Sequence, residues 1–210
     1  MEQEQLPQHI VYSPAVIEFV TVVAETCIFL ENATEQTREE FIDRSVKLLP
    51  MLYLKASLVK SPEPVFDDIP ERFVSEEDYL FVKEQVEQLL GADDSYLEVF
   101  HPDMALSDTP IAAFISEDLA DIYQEIKDFA ANYQTLETEN MNDALVNCIE
   151  AFRLHWGQKT LNALRALHSI RYSDSFETKE PEDSKETRLN RDSFLNFLHD
   201  ENDDDINRLL

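Results

Sequence analysis

Glycine is almost absent from this chain: Gly91 and Gly157 are the only two among 210 residues, where about 7% is usual. Phosphate-cradling loops and the glycine-rich turn of dinucleotide-binding folds each need several glycines at close spacing, so both are excluded. The nucleophile elbow of α/β-hydrolases is excluded on the same ground. Tight hairpins draw on residues at positive φ, which glycine mostly supplies, so helices with few turns are expected. Basic residues are the second shortage. The chain has 17 Lys and Arg against 44 Asp and Glu, a formal charge of −27. Phosphate backbones and anionic lipid surfaces are held by clustered Lys and Arg, so neither nucleic acid nor membrane is expected as a partner. Cysteine is the third. Cys27 and Cys148 give no disulfide framework and no zinc spacing, and each sits in apolar context as a reduced thiol does. Long apolar runs are missing too. The stretch from Pro14 to Leu30 is interrupted by Glu18 and Glu25, whereas a membrane span needs about 20 predominantly apolar residues. The opening MEQEQLPQH has no basic n-region, so no secretory leader is expected and the expected location is the cytoplasm.

What is present is helical periodicity. Ser13 followed by Pro14 is an N-cap and first-turn pairing, and it predicts a helix to about Glu31, with a strand as rival because the run is rich in β-branched residues. Thr37 and Glu40 stand at capping-box spacing before a helix from Arg38 to Val59, in which Pro50 predicts a kink or break. A proline-bearing linker, 61–73, leads to a helix from Glu76 to Leu90 with Ser75 as cap and Gly91 just past its end. Residues 93–115 read as either a short helix or an extended segment, punctuated by Pro102 and Pro110. After Ser116 comes the cleanest pattern in the chain, reaching about Gln134. Leu119, Ile122, Tyr123, Ile126 and Phe129 share one face, and Glu117, Asp121, Glu125 and Asp128 share the other.

A fifth helix, starting near Asn140, reverses the charge balance. Residues 144–172 hold one acid, Glu150, against Arg153, Lys159, Arg165 and Arg171. A basic helix in so acidic a chain should attract acidic neighbours, so it is expected at the centre of the fold. On a wheel of about 100° per residue, Arg153, His168 and Arg171 fall inside its apolar arc. A buried guanidinium needs a partner. These three side chains therefore predict an internal ion-pair network with the carboxylates of the fourth helix or of the Glu18–Glu25 stripe. The functional alternative is a pocket for a small anion, which Arg grips through paired hydrogen bonds. Carboxylates at Glu39, Glu40 and Asp43 with Asp118 and Asp121 suggest, more loosely, the magnesium clusters of all-helical nucleotide pyrophosphohydrolases. The single Glu98-x-x-His101 pair is half of what a di-iron bundle needs. From Ser173 the composition turns to that of a disordered acidic linker. It ends in a short amphipathic segment bearing Phe194, Leu195, Phe197 and Leu198, a pattern that docks into hydrophobic grooves.

Three segments, LLPMLYLKASLV (48–59), SEDLADIYQEIKDF (116–129) and MNDALVNCIEAFRLHWGQKTLNALRALHSIRY (141–172), together resemble a bacterial family catalogued as a domain of unknown function. The resemblance covers about residues 10–172. It implies an all-helical cytoplasmic protein and carries no reaction, cofactor or catalytic residue. The fold expected is an all-α bundle of about five main helices over residues 1–172, with an acidic tail over 173–210. The function expected is a non-enzymatic interaction or adaptor protein. Its partner would be another protein, met through the acidic face of the fourth helix and the Phe194–Leu198 segment; a homo-oligomer is compatible with the composition. The alternative is a small-anion binder or metal-dependent hydrolase. No cofactor and no resident metal are expected.

Overall fold

The computed structural model of the chain describes residues 9–66, 68–98, 111–173 and 176. The chain divides into two units, Met1–Ser173 and Asp174–Leu210. The first is an all-α bundle. After a 3₁₀ turn at Ile10–Tyr12 come α1 (Pro14–Glu31), α2 (Arg38–Leu58), α3 (Glu76–Leu90), α4 (Ile115–Tyr133), α5 (Thr138–Ala151) and α6 (Gly157–Arg171). A single π-turn, Phe152–Trp156, joins α5 to α6 without a break, so these two make the expected fifth helix. Between α3 and α4 lie two short strands, β1 (Ser95–Leu97) and β2 (Ala112–Phe114), paired antiparallel. Among the described residues, no helix is long and apolar enough to cross a membrane.

Local chemistry sets the helix boundaries. Pro14 occupies the first turn of α1 behind Ser13. Thr37 and Glu40 form the reciprocal capping box of α2, with the Glu40 carboxylate accepting from the Thr37 amide at 3.0 Å. Ser75 and Asp78 do the same for α3. Gly91, at φ +57°, ends α3 in a conformation that costs other residues a Cβ clash. Of the kink or break expected at Pro50, a break does not occur, and α2 runs on through it. A proline removes one ladder hydrogen bond, and the packing of Leu48, Leu49 and Leu52 into the core outweighs that loss.

The centre of the bundle is α4. It packs against α1, α3, α5 and α6, while α2 packs on α1 and α6. Leu119, Ile122, Ile126 and Phe129 are buried along its apolar face, and Phe129 stacks on Phe19 of α1. The expectation that the basic helix lies at the centre is therefore corrected: the strongly amphipathic acidic helix takes that place. It can do so because neighbouring elements bond the carboxylates on its polar side, so that side needs no open water. Its first turn is capped from afar. The buried Asp94 accepts from the Ser116 amide at 2.8 Å and from its hydroxyl at 2.7 Å.

Candidate functional site

Charged groups converge between α3, α4, α6 and β1. Lys159 Nζ lies 2.6 Å from Asp121 Oδ2 and 3.2 Å from Asp118 Oδ1. The Tyr79 hydroxyl donates to Asp121 at 2.9 Å, and the Tyr96 hydroxyl donates to Asp118 at 2.5 Å. Asp118 is 4% exposed. Its burial raises the carboxyl pKa above the usual range, against the pull of Tyr96 and Lys159. Burial works against the Lys159 ammonium as well, but Asp121 and Asp118 outweigh it and hold its pKa above the ordinary lysine value. Burial and the neighbouring carboxylates also push the Tyr79 and Tyr96 hydroxyls upward, so both remain proton donors. Lys159, half-buried, is thus the cation of the basic helix that meets carboxylates of the fourth, and it is not one of the three residues expected to do so.

A second polar seam joins α4 and α5 to the 61–73 linker. Asp143 accepts from the Val65 and Phe66 amides, both at 2.7 Å. Asp128 accepts from the Phe73 and Val74 amides at 2.7 and 2.8 Å. Asn142 and Asn132 donate to the carbonyls of Glu63 and Glu71, each at 2.8 Å. These bonds lay the linker over the polar side of α4. Of the expected interaction residues, Glu117 pairs with Lys83 at 2.8 Å, Asp121 with Lys159, and Asp128 with the linker. Glu125 lines a small pocket beside the linker with Arg72 and Asn132. All four are half-buried, which corrects the expectation of an open acidic face. Phe194, Leu195, Phe197 and Leu198 lie outside the described residues.

The predicted cluster of Arg153, His168 and Arg171 does not assemble. Arg153 and His168 are exposed, and among the described residues no carboxylate pairs with Arg153. Arg171 is half-buried and donates to Asp43 of α2 at 3.0 Å. It shares Tyr172 with His168: its guanidinium sits 5.5 Å from the ring centroid, and the His168 ring 4.6 Å. Arg153 stands about 25 Å from these two along the helix axis, at 1.5 Å per residue. The π-turn, whose wider coil inserts an extra residue, also rotates the positions after it off a constant wheel. Arg153, Leu154 and His155 lie within that turn and are carried outward, Leu154 to 86% exposure. The turn itself depends on Gly157, where a Cβ would meet the Phe152 ring at 2.8 Å and the Phe152 carbonyl oxygen, a backbone atom, closer still. It is closed by Trp156, fully buried, whose indole N–H donates to the Cys148 carbonyl at 3.0 Å. The two carboxylate groups weighed for magnesium are also separate. Asp43 meets α6 at Arg171 and Asp118 meets it at Lys159, 12 residues and about 18 Å apart. Among the described residues, no three His, Cys, Asp or Glu come together as metal ligands.

The open feature of this region is a cleft of about 410 Å³ between β1 and α6, a volume within the range of ligand sites. Ser95, Tyr96, Leu97 and Glu98 form one wall; Asn162, Arg165, Ala166, Ser169 and Ile170 form the other. The second set recurs at helical spacing on the side of α6 away from its buried stripe of Trp156, Thr160, Ala163 and Leu167. Asn162 donates to Glu98 at 3.0 Å across the cleft, and Tyr96 ties the strand to α4 through Asp118.

The architecture and these segments can be set against known proteins. A family model described as "Domain of unknown function (DUF5063)" matches residues 10–173. The chain belongs to this family. A crystal structure of protein BF1032 from Bacteroides fragilis is 45% identical, covers 79% of this chain and 97% of that one, and superposes with a TM-score of 0.71. No curated protein matches the chain. The family membership agrees with the resemblance carried by residues 48–59, 116–129 and 141–172.

Sequence reasoning missed the cleft. Arg165 and Ser169 lie outside the apolar arc of the basic helix, where polar residues read as ordinary solvated positions. Residues 95–97 were left between helix and strand. The signal that was available is the mixture of small and polar residues from Asn162 to Ile170, where a purely solvated face would carry longer charged side chains.

Proposed function

We propose that this member of the family is a non-enzymatic protein–protein interaction module, with the cleft between β1 and α6 as its working surface. The observation that carries the reading is the contrast between that cleft and the rest of the polar chemistry. Asp118, Asp121, Asp128, Asp143 and Lys159 are bonded to one another or to backbone amides, whereas the cleft is open and mixed in polarity, with Leu97 and Arg165 exposed on its walls. A chain at −27 repels other acidic surfaces and stays dispersed, so a docking site on it needs local contacts such as these. The test is capture from the native host with the intact chain and with Ala166→Trp, which fills the cleft from a half-buried position. A protein held by the wild type and lost from a variant of unchanged melting temperature supports the reading. Identical sets of captured proteins overturn it.

A further inference from the structure

The register of the small sheet decides which backbone groups face the cleft. Glu98 N–H donates to the Ile111 carbonyl at 2.9 Å, and Ile115 N–H donates to the Asp94 carbonyl at 2.9 Å. With Tyr96 opposite Ala113, residues 94, 96 and 98 turn their ladder groups toward β2. Alternation in an antiparallel pair then turns the N–H and C=O of Ser95 and Leu97 to the other edge. Among the described residues these groups have no partner. That edge faces the cleft. Side chains of a strand point alternately to opposite faces, so a cleft over one face would be lined by every second residue, yet four consecutive residues, 95–98, line this one.

We infer that β1 receives an added strand: an extended segment of a partner protein, carrying a carboxylate side chain, lies in the cleft and hydrogen-bonds to Ser95 and Leu97. This rests on the interaction reading above and names the class of partner. Backbone ladder bonds of this kind supply affinity, and alternate side chains supply specificity. The two walls are matched in length: three residues of strand span about 10 Å, and Asn162 to Ile170 rises about 12 Å. Charge selects the occupant. Asp93 is paired with Arg38, and Glu98 accepts from Asn162. Arg165 is exposed and, among the described residues, has no carboxylate partner, so the cleft presents one open cation. Ala166 and Ile170 beside it offer an apolar seat for a neighbouring side chain of the segment.

The probe is a phage-displayed library of random nine-residue peptides selected on the full chain, followed by fluorescence polarisation with the selected peptides. The expected peptides carry Asp or Glu. They lose about tenfold in affinity on Arg165→Glu and keep most of it on Arg165→Lys. They also fail when alternate backbone amides are N-methylated, and they slow hydrogen exchange at the Ser95 and Leu97 amides. Peptides that are displaced by Ala166→Trp but tolerate N-methylation would overturn strand addition and leave the interaction reading standing. Absence of any peptide or host protein sensitive to Ala166→Trp would end both. Ser95 and Leu97 amides already protected in the free chain would give the edge to another segment of this chain. A dimer dissociated by Arg165→Glu would give it to a second copy. Either result overturns the proposal.

Discussion

Two polar seams run along α4, and they bury the same kind of residue by different means. Toward α3 and α6, Asp118 and Asp121 are neutralised by one ammonium, Lys159, with tyrosine hydroxyls completing the shell. Toward α5 and the linker, Asp128 and Asp143 meet no cation among the described residues. Each accepts two backbone amides instead. The ionic seam joins helix to helix, while the amide seam fixes a stretch that has no ladder of its own. The difference shows that an acidic stripe need not face water or a cationic partner. Backbone N–H groups of an irregular segment have to be bonded somewhere once they are covered, and a carboxylate is a strong acceptor for two of them at once.

The comparison can be broken at several points. Lys159→Met should have the largest effect, a loss of about 3 kcal/mol, because it leaves Asp118 buried without its cation; urea denaturation with unchanged stability would remove the ionic seam from the account. Asp143→Ala should cost about 2 kcal/mol, since the Val65 and Phe66 amides lose their acceptor. In addition, proteolysis should then cut within the linker while the helices stay intact. Gly157→Ala should lower stability by about 1 kcal/mol through the clash with Phe152, despite the better helix propensity of alanine. A rise in melting temperature would show that the π-turn relaxes to an ordinary helix at no cost.

The two seams should also respond to pH with opposite signs. The Asp143 carboxyl is held below its ordinary value of 3.8: burial raises it, but the Val65 amide, Asn142 and the Phe66 amide together outweigh burial. Its stabilising contribution is therefore present above 3.8 and lost as pH falls through the lower folded value. Asp118 is held above 3.8 by burial, so its contribution is present below 3.8 and lost as pH rises through the raised folded value. Measured from pH 3 to 7, the stability gap between wild type and Asp143→Asn should widen with rising pH, and the gap to Asp118→Asn should narrow. Each slope is limited to about 1.4 kcal/mol per pH unit. The smallest effect belongs to Arg153→Ala, which should change stability by less than about 0.5 kcal/mol, as exposed positions do. A larger loss would mean that Arg153 has a partner in solution.

Most of the helices were legible in the sequence because their determinants are local. The Thr37–Glu40 box, Ser75, Gly91 and the apolar stripe of α4 each act within a few residues. The charge argument was right in kind and wrong in its choice of residue. It required cations of the basic helix to meet carboxylates of the fourth, and Lys159 does so. Arg153 was misplaced because a π-turn, supported by Gly157 and Trp156 packing, resets the register midway. The cleft was not legible, because Glu98 and Asn162 are 64 positions apart and nothing local in either segment names the other.

By itself, then, the sequence determined the helical class, the cap positions, the amphipathic faces and the exclusion of glycine-dependent sites. These follow from propensity, periodicity and composition, which need no partner element. Tertiary structure alone decided that α4 is the centre, that Lys159 sits between Asp118 and Asp121, and that β1 lies across a cleft from α6. Burial and pairing are properties of two surfaces in contact, and which surfaces meet depends on the packing of the whole bundle.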